Sequence, residues 1–464
     1  MADPAGRRLP ASFRDPSGFL FQQDGQLYRQ VNQVCRADYD LLISSGLYLK
    51  LVKQKLLIPH EETTLTPPVP ELSYKVIQPE RVPFISYPYE WSFSQLKDAA
   101  LLTLKIHRAA LQSGMVLKDA SAYNIQFLHG APILIDTLSF AAYHPGDPWV
   151  AYRQFCQMFL APLALMSHTD IRCGDLLRAH IDGLPLDLTG KLLPGSTRLN
   201  FGLMTHIHAH AMAQQRYAQP AAEGKEKKAQ LSQTAMTGLI ESLEGTVKKL
   251  EWKPGGTVWA DYYDATNYSD QALEAKKQVV WEWLHEITPH RVFDLGANTG
   301  LFSRLALDMQ DCLVISTDID PGAVEINYLE CKKNHLANLL PLVIDLTNPT
   351  PAIGWNNTER YSFIQRGPAD LIMALALIHH LAISNNVPLE EISRFMASLG
   401  QTLIIEFVPK EDSQVRKLLA SRQDIFPDYS LEGFSRAFAH DYILRKQVPI
   451  PETLRTLFWF ERKS

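Results

Sequence analysis

Three carboxylates in the C-terminal half of the sequence stand at matching positions, each at the end of a short, mainly apolar run. Asp294 ends "VFD", Asp318 ends "VISTD" and Asp345 ends "LVID", at spacings of 24 and 27 residues. Strand-like and helical runs alternate between them, as in βαβ units. The carboxyl ends of parallel strands meet at one edge of a sheet, where open α/β sheets bind ligands. The three acids are therefore expected to face one ligand.

A turn containing glycine follows the first of these acids. In "DLGANTG", Gly296, Asn298 and Gly300 separate the strand from the helix-forming "LFSRLALDM". Glycine allows a sharp turn and lets a ligand lie against the backbone. A nicotinamide-binding loop would read G-x-G-x-x-G, with an acid about 20 residues further on. The pattern here is D-x-G-x-N-x-G, with Asn298 where a middle glycine would be expected.

These segments resemble the class I S-adenosylmethionine-dependent methyltransferases over residues 256–464. The resemblance rests on "DLGANTG", "TDIDPGAV", "VIDL", "ADLIMALALIHHL" and "LIIEFVPKED". It implies S-adenosyl-L-methionine as the cofactor, with its amino-acid part at the glycine turn beside Asp294. The acid after the second strand, Asp318, would hold the ribose, and Asp345 would address the adenine. Another nucleotide-binding α/β domain is the alternative.

Two histidines in "ALIHHL" are the candidate catalytic residues. The resemblance places this segment opposite the methyl group, where His379 or His380 would act as a base or orient the acceptor. The alternative is structural, with a histidine that caps the strand or bonds a backbone carbonyl. Glu406, in the fifth strand, is interpreted as structural rather than as an acceptor contact. The segment lacks an N-P-P-Y or D-P-P-Y pattern, which argues against the usual base-amine methyltransferases.

A second constellation lies in "VLKDASAYNIQFLHGAPILID", in the N-terminal half. Asp119 and Asn124 keep a D-x-x-x-x-N spacing, and Asp136 follows twelve residues later. The stretch resembles the catalytic loop of protein kinases and, more closely, of aminoglycoside-phosphotransferase-like enzymes. The resemblance implies that Asp119 accepts the substrate proton and that Asn124 and Asp136 hold magnesium. Arg29 in "LYRQV" would stand in place of the phosphate-binding lysine.

This stretch also departs from the kinase pattern. The sequence has no glycine-rich loop before Arg29, Leu117 replaces the usual histidine, and Asp-Thr-Leu replaces Asp-Phe-Gly. In the structural alternative, Asp119 and Asn124 bond to the backbone of a tight loop. We predict a degenerate kinase-like domain that serves as a scaffold or binds the acceptor or a partner. The remaining alternatives are a phosphotransferase with a regulatory methyltransferase-like half, and a non-catalytic ligand-binding protein.

Two further features invite a functional interpretation. His206, His208 and His210 alternate in "THIHAHA" and would share one face of a strand, where they could bind a metal. The surroundings favour a helix, on which they do not converge, so no metal site is predicted. In "DYYDATNYS", Tyr263 and Tyr268 are candidate contacts over the donor pocket, with simple packing as the alternative.

The secondary-structure elements predicted around these residues divide the chain into domains. Beyond residue 256 the alternation predicts an α/β, Rossmann-like sheet of parallel strands with helices on both faces. The N-terminal part is predicted to be α+β, with a hairpin at Asp24-Gly25. The predicted domains are an N-lobe-like part at 1–92, a helical C-lobe-like part at 93–217, a linker and connecting helix at 218–255, and the methyltransferase domain at 256–464.

The composition limits the remaining classes. The chain has 464 residues, 46% of them hydrophobic, which is enough for two or three domains. A net charge of −5 gives no strong signal for a nucleic-acid partner. Five scattered cysteines suit a cytoplasmic protein, and the most apolar run, "LIMALALIHHLAI", is too short to span a membrane. The whole chain loosely resembles methyltransferases of the nodulation-protein type, which identifies no acceptor.

Overall fold

The computed structural model describes residues 7–210, 212, 232–254, 268–420 and 422–463. The chain forms two compact units. The first is Met1–Lys253 with Ile353–Arg360, and the second is Pro254–Ala352 with Tyr361–Ser464. The linker predicted at 218–230 and the predicted contact of Tyr263 lie outside the described residues. None of the described helices is long and apolar enough to cross a membrane.

The strands of the first unit pair in an antiparallel manner. They are β1 (Arg7–Arg8), β2 (Gly18–Gln23), β3 (Gln26–Asn32), β4 (His60–Thr63), β5 (Ser73–Pro79), β6 (Met115–Leu117), β7 (Ile125–Leu128), β8 (Ala131–Leu134) and β9 (Phe140–Ala142). Strands β1 to β5 form one sheet in the order β1-β2-β3-β5-β4, while β6 pairs with β9 and β7 with β8. The predicted hairpin is confirmed: Asp24 (φ 50°) and Gly25 (φ 77°) form the turn between β2 and β3. Positive φ at both central residues is what a two-residue hairpin requires.

Helices complete the first unit. They are α1 (Arg36–Ser44), α2 (Leu47–Lys53), α3 (Phe93–Gln112), α4 (Tyr152–Phe155), α5 (Ala161–His168), α6 (Leu176–Ala179), α7 (Leu186–Leu192), α8 (Phe201–Leu203) and α9 (Gln233–Lys249). The longest of them, α3, begins with a capping box in which Ser92 and Gln95 each accept a hydrogen bond from the other's backbone N–H. Its buried face carries mainly leucine and alanine, so it forms a centre against which the later helices pack.

A short hairpin from the C-terminal half of the sequence, Ile353–Arg360, belongs to the first unit. Its Glu359 carboxylate is 2% exposed and accepts two hydrogen bonds from Arg14, from Nε at 2.5 Å and from Nη2 at 3.0 Å. The Arg360 guanidinium lies 4.2 Å from the ring centroid of Tyr123. A two-point contact between a guanidinium and a carboxylate has a fixed geometry. This contact therefore holds the hairpin in one position within the first unit.

A seven-stranded sheet forms the centre of the second unit. Its strands are β10 (Arg291–Leu295), β11 (Leu313–Asp318), β12 (Leu339–Val343), β13 (Ala369–Ala374), β14 (Gly400–Phe407), β15 (Tyr442–Pro449) and β16 (Thr456–Arg462), in the order β12-β11-β10-β13-β14-β16-β15. The first five are parallel and were all predicted, so the α/β prediction is confirmed for this unit. The predicted parallel arrangement covers only these five strands, because β16 and β15, which were not predicted, extend the sheet antiparallel.

The helices of the second unit connect these strands. They are α10 (Asp270–Ile287), α11 (Leu301–Leu305), α12 (Pro321–Asn334), α13 (Leu389–Leu399), α14 (Ser413–Leu419) and α15 (Leu431–Asp441). Ser269 caps α10 by accepting the N–H of Ala272 at 3.1 Å, and Asp320 caps α12 by accepting the N–H of Gly322 at 2.8 Å. The apolar face of α10 packs into the core through Val280 and Leu284, together with β10, β11 and β13. These contacts fix the positions of the strand ends.

Candidate functional site

A cavity of about 350 Å³ lies at the carboxyl ends of β10 to β13. Its lining contains the three predicted acids, two residues of the glycine turn, and one of the two candidate histidines: Asp294, Asp318, Asp345, Gly296, Asn298 and His380. Gly300 and His379 are outside the lining. Cavities of this size and position bind small ligands in open α/β sheets. The structure therefore brings most of the predicted site residues of this half together.

Positive backbone angles shape the glycine turn. Gly296, Asn298 and Gly300 have φ angles of 71°, 52° and 79°, a region that glycine adopts freely and asparagine tolerates. A Cβ on Gly300 would lie 2.5 Å from the side-chain amide nitrogen of Asn327, which is on α12. The glycine turn therefore packs closely against that helix. Asn298 occupies the position of the missing middle glycine because its backbone conformation remains accessible to that side chain.

The Asp318 carboxylate connects the second strand to the glycine turn. Its Oδ2 accepts the backbone N–H of Asn298 at 2.8 Å, and its Oδ1 accepts that of Asp320 at 2.9 Å. Burial raises the pKa of Asp318 to about 6, although these bonds oppose the shift. A carboxylate has about four acceptor positions, so Asp318 retains capacity to accept hydrogen bonds from a ligand.

The other two acids have different environments. Asp294 is buried and accepts a 2.6 Å hydrogen bond from Ser303, and burial raises its pKa to about 6. Asp345 is partly exposed, and its Oδ1 accepts the N–H of Thr347 at 2.8 Å and its hydroxyl at 2.7 Å. Asp294 thus has one firm structural bond within the wall, whereas Asp345 lies at a more open part of the cavity.

The candidate histidines differ in access to the cavity. His380 lines it, whereas His379 is fully buried, and their ring centroids are 4.1 Å apart. Burial, reinforced by Arg455, lowers the pKa of His380 to about 4, and burial with His380 holds the pKa of His379 well below its usual range. Both imidazoles are therefore neutral at neutral pH. The adjacent backbone is unusual, with Ala376 at φ 52° and a π-helical turn at His380–Ser384.

Glu406 is the centre of a buried network of charges. Lys276 Nζ donates to its Oε2 at 2.6 Å, and Tyr268 donates to its Oε1. Arg455 donates to the Tyr268 hydroxyl at 2.8 Å and to Asp412 at 2.8 Å through Nε. Burial alone raises the pKa of Glu406, but the charges of Lys276 and Arg455 outweigh it and hold that pKa below its usual range. The network supports the structural interpretation of Glu406.

Sequence reasoning missed Lys276, which lines the cavity together with Tyr268. A signal was present: Ala272, Lys276 and Val280 lie four residues apart and are all buried on α10. A lysine on the apolar face of an amphipathic helix needs a partner within the protein or its ligand. That anomaly could have marked Lys276 as a site residue.

In the first unit the structure brings Arg29 and Asp136 together. Arg29 Nη1 lies 2.6 Å from Asp136 Oδ1. The same carboxylate accepts the N–H of Leu138 at 2.9 Å on Oδ1 and the hydroxyl of Ser139 at 2.9 Å on Oδ2. A guanidinium and two structural donors therefore occupy both oxygens of the acid that was predicted to hold magnesium.

The other two residues of that loop are also bonded within the fold. Asp119 Oδ1 accepts the N–H of Ser121 at 3.0 Å and the amide of Gln154 at 2.8 Å, and Asn124 donates to Ser139 at 3.4 Å. Burial raises the pKa of Asp119, and the charge of Asp136 adds to that shift. These bonds are the kind expected from a structural tight loop.

The alternating histidines lie on a helical segment, as predicted: His206 and His208 are in a π-helical turn at Met204–His208, and His210 follows it. His206 bonds the Tyr152 hydroxyl at 2.8 Å and the Ser242 hydroxyl at 2.9 Å, while His208 bonds Thr197 at 2.9 Å. The ring nitrogens of His206 and His208 are therefore used in hydrogen bonds to neighbouring helical segments. Across the described residues, no group of three His, Cys, Asp or Glu side chains is arranged to hold a metal ion.

Comparison with solved structures gives weak likenesses. The N-methyltransferase NodS from Bradyrhizobium japonicum WM9, in complex with S-adenosyl-L-homocysteine, is 12% identical, with 44% of this chain and 95% of NodS covered and a TM-score of 0.34. The magnesium protoporphyrin IX methyltransferase ChlM from Synechocystis PCC 6803 is 17% identical, with 43% and 89% covered and a TM-score of 0.31. TM-scores of this size do not establish a shared fold.

Comparison of sequences is more informative. No family model matches the chain. The nodulation protein NoeA of Rhizobium meliloti (strain 1021) is 35% identical over 470 residues, which cover 100% of this chain and 98% of NoeA. Because the similarity extends through both units and the full length of both proteins, the chain belongs to the family of the nodulation protein NoeA.

Proposed function

We propose that this protein is an S-adenosylmethionine-dependent methyltransferase whose chemistry takes place in the second unit. One observation carries the proposal: three strand-end carboxylates and a glycine turn line a single cavity at the edge of the sheet where ligands bind. A structural acid at one strand end needs no explanation. Three that converge on one cavity are suited to a ligand with several polar groups spread along its length.

The residues present fit the cofactor that this proposal requires. Asp318 has acceptor capacity left for ribose hydroxyls, and Asp345, which follows the neighbouring strand β12, lines the same cavity and would address the adenine. Gly296 lines the cavity and packs closely on Leu377, since a Cβ on Gly296 would come within 3.1 Å of that side chain. The part of the turn that lines the cavity, Gly296 to Asn298, would hold the amino-acid part. When bound, the cofactor supplies an activated methyl group on a sulfonium.

The chain's own contribution is alignment and the handling of a proton. Leu375, Leu377, Leu381 and Leu418 contribute an aliphatic part of the cavity lining, which would exclude water around the reacting groups. His380 lines the same cavity and is neutral, and its imidazole would orient the acceptor or take its proton. Alignment of the reacting groups accounts for most of the catalysis expected at such a site.

For the first unit we propose a scaffold or binding role without phosphoryl transfer. The ion pair of Arg29 with Asp136 supports this role, because a guanidinium already neutralises the carboxylate that would have to hold magnesium. A phosphotransferase would have to bind its metal beside this cation. Binding of the methyl acceptor or of a partner protein remains compatible with this unit.

Calorimetry of the full chain tests the proposal. S-adenosylmethionine, S-adenosylhomocysteine and Mg-ATP are titrated separately, and unfolding is followed with and without each ligand. We expect the first two to bind, and a ligand at 100 times its Kd to stabilise the fold by about 2.7 kcal/mol. Mg-ATP is expected to bind weakly or not at all. Absence of binding and of stabilisation by millimolar S-adenosylhomocysteine would refute the methyltransferase proposal.

A further inference from the structure

Lys276 is the one cationic side chain in the described lining of the cavity, apart from the neutral His380. Its side chain is 3% exposed, and the ammonium lies 4.6 Å from the ring centroid of Phe302 and 4.9 Å from that of Tyr268. A buried ion pair such as Lys276–Glu406 is often no more stabilising than apolar side chains of similar volume in its place. Its presence at a cavity wall therefore calls for a role toward a ligand.

The hydrogen bonds of Lys276 leave one donor unassigned. An ammonium carries three N–H groups. One donates to Glu406 Oε2 at 2.6 Å, and a second to the Tyr268 hydroxyl at 3.3 Å. Within the described part of the chain no third acceptor is bonded to it, although the residue lines the cavity. The third N–H is thus available to an acceptor group on a ligand.

The surrounding network holds this ammonium in place. Glu406 and Asp412 face Lys276 and Arg455, so two anions balance two cations. Arg455 bonds both the Tyr268 hydroxyl and Asp412, which fixes the tyrosine that in turn accepts from Lys276. A ligand carboxylate would therefore meet a charge that is already positioned and dehydrated, which strengthens a charge-assisted bond.

We propose that Lys276 is the positioning residue that receives the carboxylate of the donor's amino-acid end through its third N–H. This inference rests on the proposed function, and it assigns one part of the donor to one side chain. Lys276 and the glycine turn at Gly296 line the same cavity, so the amino-acid end would lie between a cation and bare backbone.

A pair of ligands isolates this contact. S-adenosylhomocysteine carries the carboxylate, whereas 5′-methylthioadenosine has the same adenosine and thioether without the amino-acid end. Calorimetry with Lys276→Met should show affinity for S-adenosylhomocysteine about ten- to hundredfold weaker, as expected for loss of one charge-assisted bond. Affinity for 5′-methylthioadenosine should change less than about threefold. Lys277→Met is the matched control, because Lys277 is the next residue of α10 and bonds Glu274 at 2.6 Å, outside the cavity lining.

A second variant guards against simple misfolding, since Lys276→Met alone leaves Glu406 without its ammonium partner. The double variant Lys276→Met/Glu406→Gln removes both charges at similar volume and should show the same selective loss. Equal weakening of both ligands, or unchanged affinity for S-adenosylhomocysteine, would show that Lys276 has only a structural role. If the wild-type chain binds neither ligand, the proposed function fails and this inference fails with it.

Discussion

Replacement of Asp318 by asparagine tests whether this carboxylate holds the ribose. The carboxylate accepts backbone N–H groups from Asn298 and Asp320, one on each oxygen. Asparagine keeps the size of the side chain but converts one oxygen into an NH₂ group. One of those backbone donors then faces another donor. The substitution therefore changes both the folded protein and its ligand contacts, and the two effects can be calculated separately.

The effect on stability should be small. The folded pKa of Asp318 is about 6, against an ordinary value of 3.8. Because this acid has a raised folded pKa, its ionised form lowers stability above pH 6, by roughly 3 kcal/mol at 1.36 kcal/mol per unit. Asparagine removes that penalty but leaves a backbone donor without an acceptor, which costs about 1–3 kcal/mol. The two effects nearly cancel, so the melting temperature should not fall substantially.

The effect on ligand affinity should be large. A hydrogen bond to a charged group contributes about 1.5–3 kcal/mol. Loss of at least one such bond to the ribose corresponds to an affinity for S-adenosylhomocysteine weaker by about 10- to 150-fold. Affinity should thus fall while stability stays within about 2 kcal/mol of the wild type.

Calorimetry and thermal unfolding of the same samples measure both quantities. Asp370→Asn is the matched control: its Oδ2 accepts the backbone N–H groups of His290 and Arg291 at 2.9 and 2.8 Å, and it does not line the cavity. That variant should lose some stability and keep its affinity. Unchanged affinity in Asp318→Asn would refute the reasoning, since another residue would then hold the ribose.

Three further outcomes are expected. Because burial raises the pKa of Asp318 to about 6, affinity for S-adenosylhomocysteine should weaken by up to about tenfold per pH unit below pH 6, and calorimetry across this range would show a flat profile if this carboxyl does not contact the ligand. Gly300→Ala should lower stability by about 1–3 kcal/mol, because its φ is 79° and the new Cβ would meet a side-chain amide at 2.5 Å. Gly245→Ala, in the interior of helix α9 with nothing within 4 Å of the new Cβ, should instead raise stability by about 0.5–1 kcal/mol, and equal melting temperatures for the two variants would contradict this. Asp119→Ala should leave affinity for S-adenosylhomocysteine unchanged, and an ATP turnover that disappears in this variant would mean that the first unit is an enzyme after all.

Strands β10, β11 and β12 and their acids could be predicted from sequence because each is a short, mainly apolar run with a carboxylate at or just after its end. The C-terminal hairpin could not be predicted in this way. In β15 most side chains are exposed or partly exposed, including Ile443 at 46% and Leu444 at 48%. A strand at the edge of a sheet is ordered by its neighbour, here β16, and its own sequence carries little of that signal.

The charge network at the cavity shows a second limit of prediction from sequence. Glu406 was interpreted as a structural acid, but its partners come from distant parts of the sequence: Lys276 lies 130 residues earlier and Arg455 lies 49 residues later. Residue type and spacing cannot identify such pairs. The same holds for Arg29 and Asp136, whose residue types were noted but whose ion pair depends on the fold.

Because the Ile353–Arg360 hairpin belongs to the first unit, that unit cannot be completed early in synthesis on the ribosome. Residues 1–253 emerge first, but Glu359, which bonds Arg14, emerges about 100 residues later. At roughly 5–20 residues per second this delay is about 5–20 s. During this delay the nascent N-terminal chain lacks the hairpin Ile353–Arg360. The first unit therefore reaches its final form only after strands β10 to β12 have been made. The gene therefore encodes each unit in two separate segments.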